Sequence, residues 1–170
     1  MRLYVMRHAD AVPRGTPGYR HDAQRPLTAE GRLQARDVAR GLKRLDVPIT
    51  VIVTSPYVRA VQTAEEVRRV FGHGTEVALL EALRAEMSPD HTSLALRPFR
   101  ARCHLLAVGH EPHCSAWIEA LISAQGTMRC LVKKGGVACI DLEQLTPTRG
   151  SGTLRWLMTA RQLALIGTSS

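Results

Sequence analysis

Short apolar runs alternate with amphipathic stretches along this chain, and several runs end on the same kind of residue. Leu3-Tyr4-Val5-Met6 delivers Arg7-His8-Ala9. Val51-Ile52-Val53-Thr54 leads into Ser55-Pro56-Tyr57-Val58-Arg59, and Leu105-Leu106-Ala107-Val108-Gly109 leads into His110-Glu111-Pro112. Runs of this length read as buried strands. Another strand is expected over 76–80, and strands near 137–142 and 153–158 finish the domain.

Between the strands the apolar period changes to that of a helix. Thr28 is an N-cap, followed by Ala35, Val38, Ala39, Leu42 and Leu45, and Pro48 stops the pattern. Ser55-Pro56 is a second start signal, with Ser55 as the cap and proline at the first helical position. Val61, Ala64, Val67 and Phe71 form this helix's stripe, which Gly72 ends. A weaker helical stretch covers 91–102, interrupted by Pro98. The next helix begins near Pro112 and places Cys114, Trp117, Ile118, Leu121 and Ile122 on one face. Strands alternating with helices predict an α/β fold: a three-layer sandwich, its mostly parallel central sheet covered by helices on both faces. The closing strand pair adds an antiparallel edge. The segment 10–24 carries Pro13, Gly15, Pro17 and Gly18, which reads as a mobile loop beside the exit of the first strand.

At 170 residues and 45% apolar composition the chain is expected to form one domain over 1–170. The net charge is +8, with basic residues spread over many segments. That spread reads as solvated helix faces, and it also attracts anionic substrates or acidic protein partners. Nucleic acid is not an expected partner, since no stacking-aromatic motif or basic recognition element accompanies the charge. Cys103, Cys114, Cys130 and Cys139 form no C-x-x-C pair and are expected as free, mostly buried thiols in a reducing cytosol. The N-terminal apolar run is too short for a signal peptide, no stretch suits a membrane span, and a cytoplasmic location is expected.

Arg7, His8, Arg59 and His110 each follow a strand end, where open α/β sheets bind ligands. Phosphoryl transfer through histidine needs this set: a neutral imidazole to attack in line, and positive groups on the equatorial oxygens. Enough fixed cations and N–H donors make a metal unnecessary. Arginine's planar fork bonds two phosphate oxygens at once, and Arg59 gains from the dipole of its helix.

These segments resemble the motifs of the histidine phosphatase superfamily, which includes phosphoglycerate mutases. The resemblance rests on Arg7-His8-Ala9, Arg25-Pro26-Leu27-Thr28-x-x-Gly31-x-x-Gln34-Ala35, Ser55-Pro56-x-x-Arg59-Ala60-x-Gln62-Thr63-Ala64 and Gly109-His110-Glu111-Pro112, in this order. Within the superfamily the chain looks like the short SixA-type phosphohistidine phosphatases. Lys133-Lys134-Gly135-Gly136 and Leu154-Arg155-Trp156-Leu157 fit them too, as does the alanine at position 9 where the superfamily usually has glycine. The resemblance implies a phosphoglycerate mutase-like fold. It implies His8 as the nucleophile, with Arg7, Arg59 and His110 forming the phosphate pocket and Arg25 as a further contact. It also implies a covalent phospho-His8 that water hydrolyses, with no cofactor.

Glu81 lies near where mutase-like members keep a catalytic glutamate, and it is the candidate general acid, ahead of Glu86 and Asp90. A phosphohistidine substrate is the less demanding one here, because imidazole leaves as a stable neutral ring while an alkoxide needs a placed acid. The expected partner is therefore a phosphohistidine-bearing protein of a phosphorelay or phosphotransfer system. A small-molecule phosphate-ester phosphatase is the alternative. A non-catalytic phosphate-binding module is a third reading, which the intact His8 argues against. The spacing of His110, His113 and Cys114 allows zinc, but Cys114 belongs to the apolar stripe and His110 to the phosphate pocket, so no metal site is expected. His21 reads as an exposed loop histidine, and Glu65 or Glu66 is an alternative partner for Arg59. Activity should fall as pH drops below the pKa of His8, with His110 titrating in the same range.

Overall fold

The computed structural model describes residues 1–99, 104–143 and 148–168. The apolar runs become β1 (Arg2–Arg7), β2 (Val51–Thr54), β3 (Glu76–Leu79), β4 (His104–Gly109), β5 (Val137–Leu142) and β6 (Gly152–Met158). They form one sheet in the order β3-β2-β4-β1-β5-β6. The first four of these are parallel, and β5 runs antiparallel to both β1 and β6. Helices lie between the successive parallel strands β1, β2, β3 and β4 along the chain, as parallel connections require.

The helices are α1 (Ala29–Arg44), α2 (Val58–Phe71), α3 (Pro89–Ala95), α4 (His113–Ile122) and α5 (Ala160–Thr168). Strand alternation sends Tyr4 and Met6 into the layer of α1, α2 and α5, and Leu3 and Val5 into the layer of α3 and α4. In the second layer Trp117 is fully buried, and its indole N–H donates to Ser93 Oγ at 3.0 Å. The three-layer α/β sandwich thus follows the sequence pattern.

Two boundaries differ from the expected ones. α2 starts at Val58 after an extended Tyr57, so Ser55 is not its N-cap. The Ser55 N–H instead continues the sheet ladder by donating to Val108 O at 3.0 Å. A further helix, α5, follows β6, and its short apolar pattern does not predict it. α5 lies against α1 so closely that a Cβ on Gly41 would sit 2.1 Å from the Leu163 carbonyl oxygen.

The weak helical stretch resolves into α3 and a single 3-10 turn at Arg97–Phe99, and the remainder, 100–102, lies outside the described residues. Cys114 and Cys139 are buried free thiols and Cys130 is half-buried. Cys103 lies outside the described residues. Among the described residues no helix is long and apolar enough to cross a membrane.

Candidate active site

Parallel register brings the ends of β2, β4 and β1 to one edge. Arg7 pairs with Gly109 and Thr54 with Val108, and the His8 N–H donates to Gly109 O at 3.0 Å. The residues that follow these strands therefore meet. Arg7, His8, Arg25, Arg59 and His110 line one cavity of about 460 Å³, together with Lys134.

The His8 ring is held from both sides. Its Nδ1 lies 2.7 Å from the Ala9 carbonyl oxygen, which only accepts, so Nδ1 carries the hydrogen. Nε2 is then the unprotonated nitrogen, and its lone pair accepts the Arg59 Nε–H at 3.1 Å. The Ala9 N–H is itself fixed on Thr63 Oγ1 at 3.1 Å, which ties the segment after β1 to α2. Burial pushes His8 down to about 3, with help from the charges of Arg59, Arg7 and Lys134 and against the bond to Ala9. Burial likewise pushes His110 down to about 2, reinforced by His8 and Arg59. Both rings are neutral well below pH 6.

His110 Nε2 lies 2.8 Å from Ser55 Oγ, and its ring is 4.8 Å from that of Tyr57. Its Nδ1 is buried with no partner among the described residues. When the Ser55 hydroxyl donates to Nε2, Nδ1 is the N–H of this ring. Arg7 donates through Nη1 to Val132 O at 3.0 Å, while its Nε is a buried donor with no partner among the described residues. Such unsatisfied donors beside a cavity are costly unless an acceptor enters.

Asp22 is the group that the sequence pattern did not single out. Its carboxylate takes Arg59 Nη2 at 2.8 Å and both Nε and Nη2 of Arg25 at 3.0 and 2.7 Å. Its carbonyl takes Arg59 Nη1 at 2.6 Å. Burial alone would raise this carboxyl, but the hydrogen bond to Arg25 and the charge of Arg59 hold it at about 2. Part of the 10–24 loop is therefore anchored, with a 3-10 turn at Asp22–Gln24.

Lys134 lines the cavity and pairs with Asp10, so the Lys133-Lys134-Gly135-Gly136 segment contributes a cation to the site. Gly31 explains its own motif: a Cβ there would lie 1.9 Å from the Asp10 carbonyl oxygen, closing the approach of α1 to this loop.

Other expectations separate from the site. Glu81 sits in a 3-10 turn with its side chain 66% exposed, paired with Arg84 at 2.6 Å, and it does not line the cavity. Glu66 is buried against Arg32, Arg36 and Arg69, and Arg59 pairs with Asp22 rather than with Glu65 or Glu66. His113 is committed to Thr92 Oγ1 at 2.8 Å, and Cys114 Sγ faces the Met6 carbonyl at 3.8 Å. Among the described residues no three His, Cys, Asp or Glu side chains gather as a metal site requires.

Comparison with known proteins finds a family and several relatives. The family described as the histidine phosphatase superfamily (branch 1) matches residues 3–90. An uncharacterized protein of Picosynechococcus sp. is 33% identical over 138 residues, covering 81% of this chain and 82% of that protein. Phosphohistidine phosphatase SixA of Escherichia coli is 26% identical over 167 residues, covering 97% of this chain and 98% of that protein. The structure of a protein histidine phosphatase SixA complexed with tungstate is similar with a TM-score of 0.82 at 27% identity, covering 96% of this chain and 99% of that one.

Proposed function

Because this chain belongs to the histidine phosphatase superfamily (branch 1) and is a phosphatase, we propose that it hydrolyses phosphohistidine on protein partners through a covalent phospho-His8 intermediate, without a metal. The observation that carries this reading is the fixed tautomer of His8. Its Nδ1 is occupied by the Ala9 carbonyl, and the lone pair of Nε2 lies among the cavity's cations. A ring held in this way attacks phosphorus through Nε2 without first losing a proton.

The phosphoryl oxygens then lie among the guanidinium groups of Arg7, Arg59 and Arg25 and the Nδ1–H of His110. Charge that develops on them in the transition state meets donors already in place. Water next attacks phospho-His8, the P–N bond breaks and inorganic phosphate leaves.

The similarity to SixA proteins supports phosphohistidine as the substrate. So does the shape of the entrance. A second hollow of about 530 Å³ shares Arg14, Arg25 and Ala85 with the first and is lined also by Tyr19 and Tyr57. A hollow beside the first suits a protein surface carrying the phosphorylated ring.

The test compares phosphate release from a phosphorylated histidine-phosphotransfer protein with release from a panel of small phosphate esters. Preference for the protein is expected, and the reverse preference overturns the substrate assignment. An acid-labile phosphoryl group should be trapped on the wild-type protein and be absent in His8→Ala. Activity should survive a metal chelator.

A further inference from the structure

The proton that the leaving group needs has no source in Glu81, which is paired with Arg84 outside the cavity. Asp10 and Glu111 are the carboxylates that line the cavity, and Asp22 grips two of its arginines. Asp10 is bonded to Lys134, which holds its carboxyl below the ordinary range. Asp22 is held low by Arg25 and Arg59. Both stay ionised and have no proton to give.

Glu111 differs. Among the described residues it has no ion pair, and its recorded partners are neutral. The Ser115 hydroxyl donates to Oε1 at 2.6 Å and the Val132 N–H donates to Oε1 at 3.0 Å. Both anchors fall on one oxygen, Oε1, and fix the carboxyl group at the cavity wall. Val132 also receives Arg7 Nη1 on its carbonyl, so one residue fixes Glu111 and a phosphate-binding arginine together. Glu111 directly follows His110 at the end of β4.

We propose that Glu111 is the acid–base group of this site, an inference that rests on His8 being the nucleophile. In the first step His8 Nε2 forms a bond to phosphorus, the bond from phosphorus to the leaving nitrogen or oxygen breaks, and that atom takes the proton from Glu111 Oε2. In the second step water attacks phospho-His8, gives a proton back to Glu111, and the P–N bond breaks to release phosphate. The carboxyl ends each cycle as it began.

The experiment measures kcat/KM for aryl phosphates of rising leaving-group basicity, from 4-nitrophenyl phosphate to phenyl phosphate, in wild type and Glu111→Gln. The amide keeps an acceptor oxygen for both anchors but has no proton to transfer. The expected loss grows along the series and reaches about 100-fold for phenyl phosphate, the usual scale of acid catalysis.

An equal loss on every ester, no loss on any, or a wild type inactive on phenyl phosphate overturns the role of Glu111. The wild-type series is a check that needs no variant: a shallow dependence on leaving-group basicity is expected, and a steep one overturns the proposal. His8→Ala keeps the two readings apart. Activity surviving there removes the phospho-His8 reading, whereas a uniform loss in Glu111→Gln with phospho-His8 still trapped removes only Glu111.

Discussion

The Nε–H of Arg59 donates to Nε2 of His8 at 3.1 Å, so the nitrogen proposed to attack phosphorus is held by a cation proposed to receive the phosphoryl oxygens. The remaining guanidinium nitrogens of Arg59 donate to Asp22. Nucleophile, cation and counter-charge form one chain of contacts, and each link has a separate consequence.

Arg59→Lys keeps a charge but loses the fork that reaches His8 and Asp22 together. Its kcat/KM should fall by about 100-fold or more, the scale of losing one preorganised donor to a developing oxyanion. Steady-state kinetics on a single substrate checks this. An effect under about threefold would mean that charge alone suffices at this position.

Asp22→Asn removes a negative charge from a pocket of arginines. Inorganic phosphate should then inhibit more strongly, its inhibition constant falling by about three- to tenfold, as an unscreened charge some ångströms away would give. The kcat should fall as well, because Arg59 and Arg25 lose the carboxylate that orients them. Product inhibition measured at two salt concentrations separates the effects, since only the electrostatic part weakens with salt.

Ser55→Ala leaves His110 Nε2 without its hydroxyl partner, and the ring becomes free to carry its hydrogen on either nitrogen. The kcat should drop by about tenfold, at the low end for a single hydrogen bond in a site. Nitrogen NMR of His110 supplies a readout that activity cannot: a shift from the Nδ1–H to the Nε2–H form is expected. An unchanged tautomer would remove Ser55 as the positioning residue.

Burial shapes the pH response. His8, His110 and His113 are pushed down to about 3, 2 and 4. The acid fall of kcat/KM, corrected for ionisation of the substrate, should therefore lie well below pH 6, lower than an unperturbed histidine would put it. Stability has the same sign. The unfolded chain takes up protons on these rings below about pH 6.5, while the folded chain does not, so unfolding is favoured as pH falls. The stabilisation is complete above pH 6.5, and on the order of 2 kcal/mol per histidine is lost by pH 5. Urea unfolding at pH 8 and pH 5 measures it.

The apolar pattern carried the strand ends and hence the meeting of Arg7, His8, Arg59 and His110, because parallel register converts three separate runs into one edge. It also carried α1 and α4, whose stripes are long. It missed α5, where only Ala160 and Leu163 are buried and too few positions repeat to reveal a period. Asp22 was hidden for another reason. It sits in a loop with no periodicity, and its role arises only when α2 brings Arg59 back to it. Ser55 was misread because a serine before proline has the local chemistry of a cap, while its hydroxyl is used across the sheet by His110. Glu81 was placed by its position after β3, but the turn that follows sends it to Arg84.

The order β2-β4-β1 at the site edge divides the labour between two kinds of backbone. His8, Ser55 and His110 follow directly on paired strands, so their spacing is set by the sheet and cannot drift independently. Tyr19, Arg14, Arg20 and Glu86, around the neighbouring hollow, lie outside the strands and the five helices. Grafting 11–21, with Asp10 and Asp22 kept, or the segment after β3 from another protein of this architecture should therefore redirect substrate choice while leaving the chemistry of bond breaking in place. The sheet acts as a fixed reaction bench, and its loops are the exchangeable part.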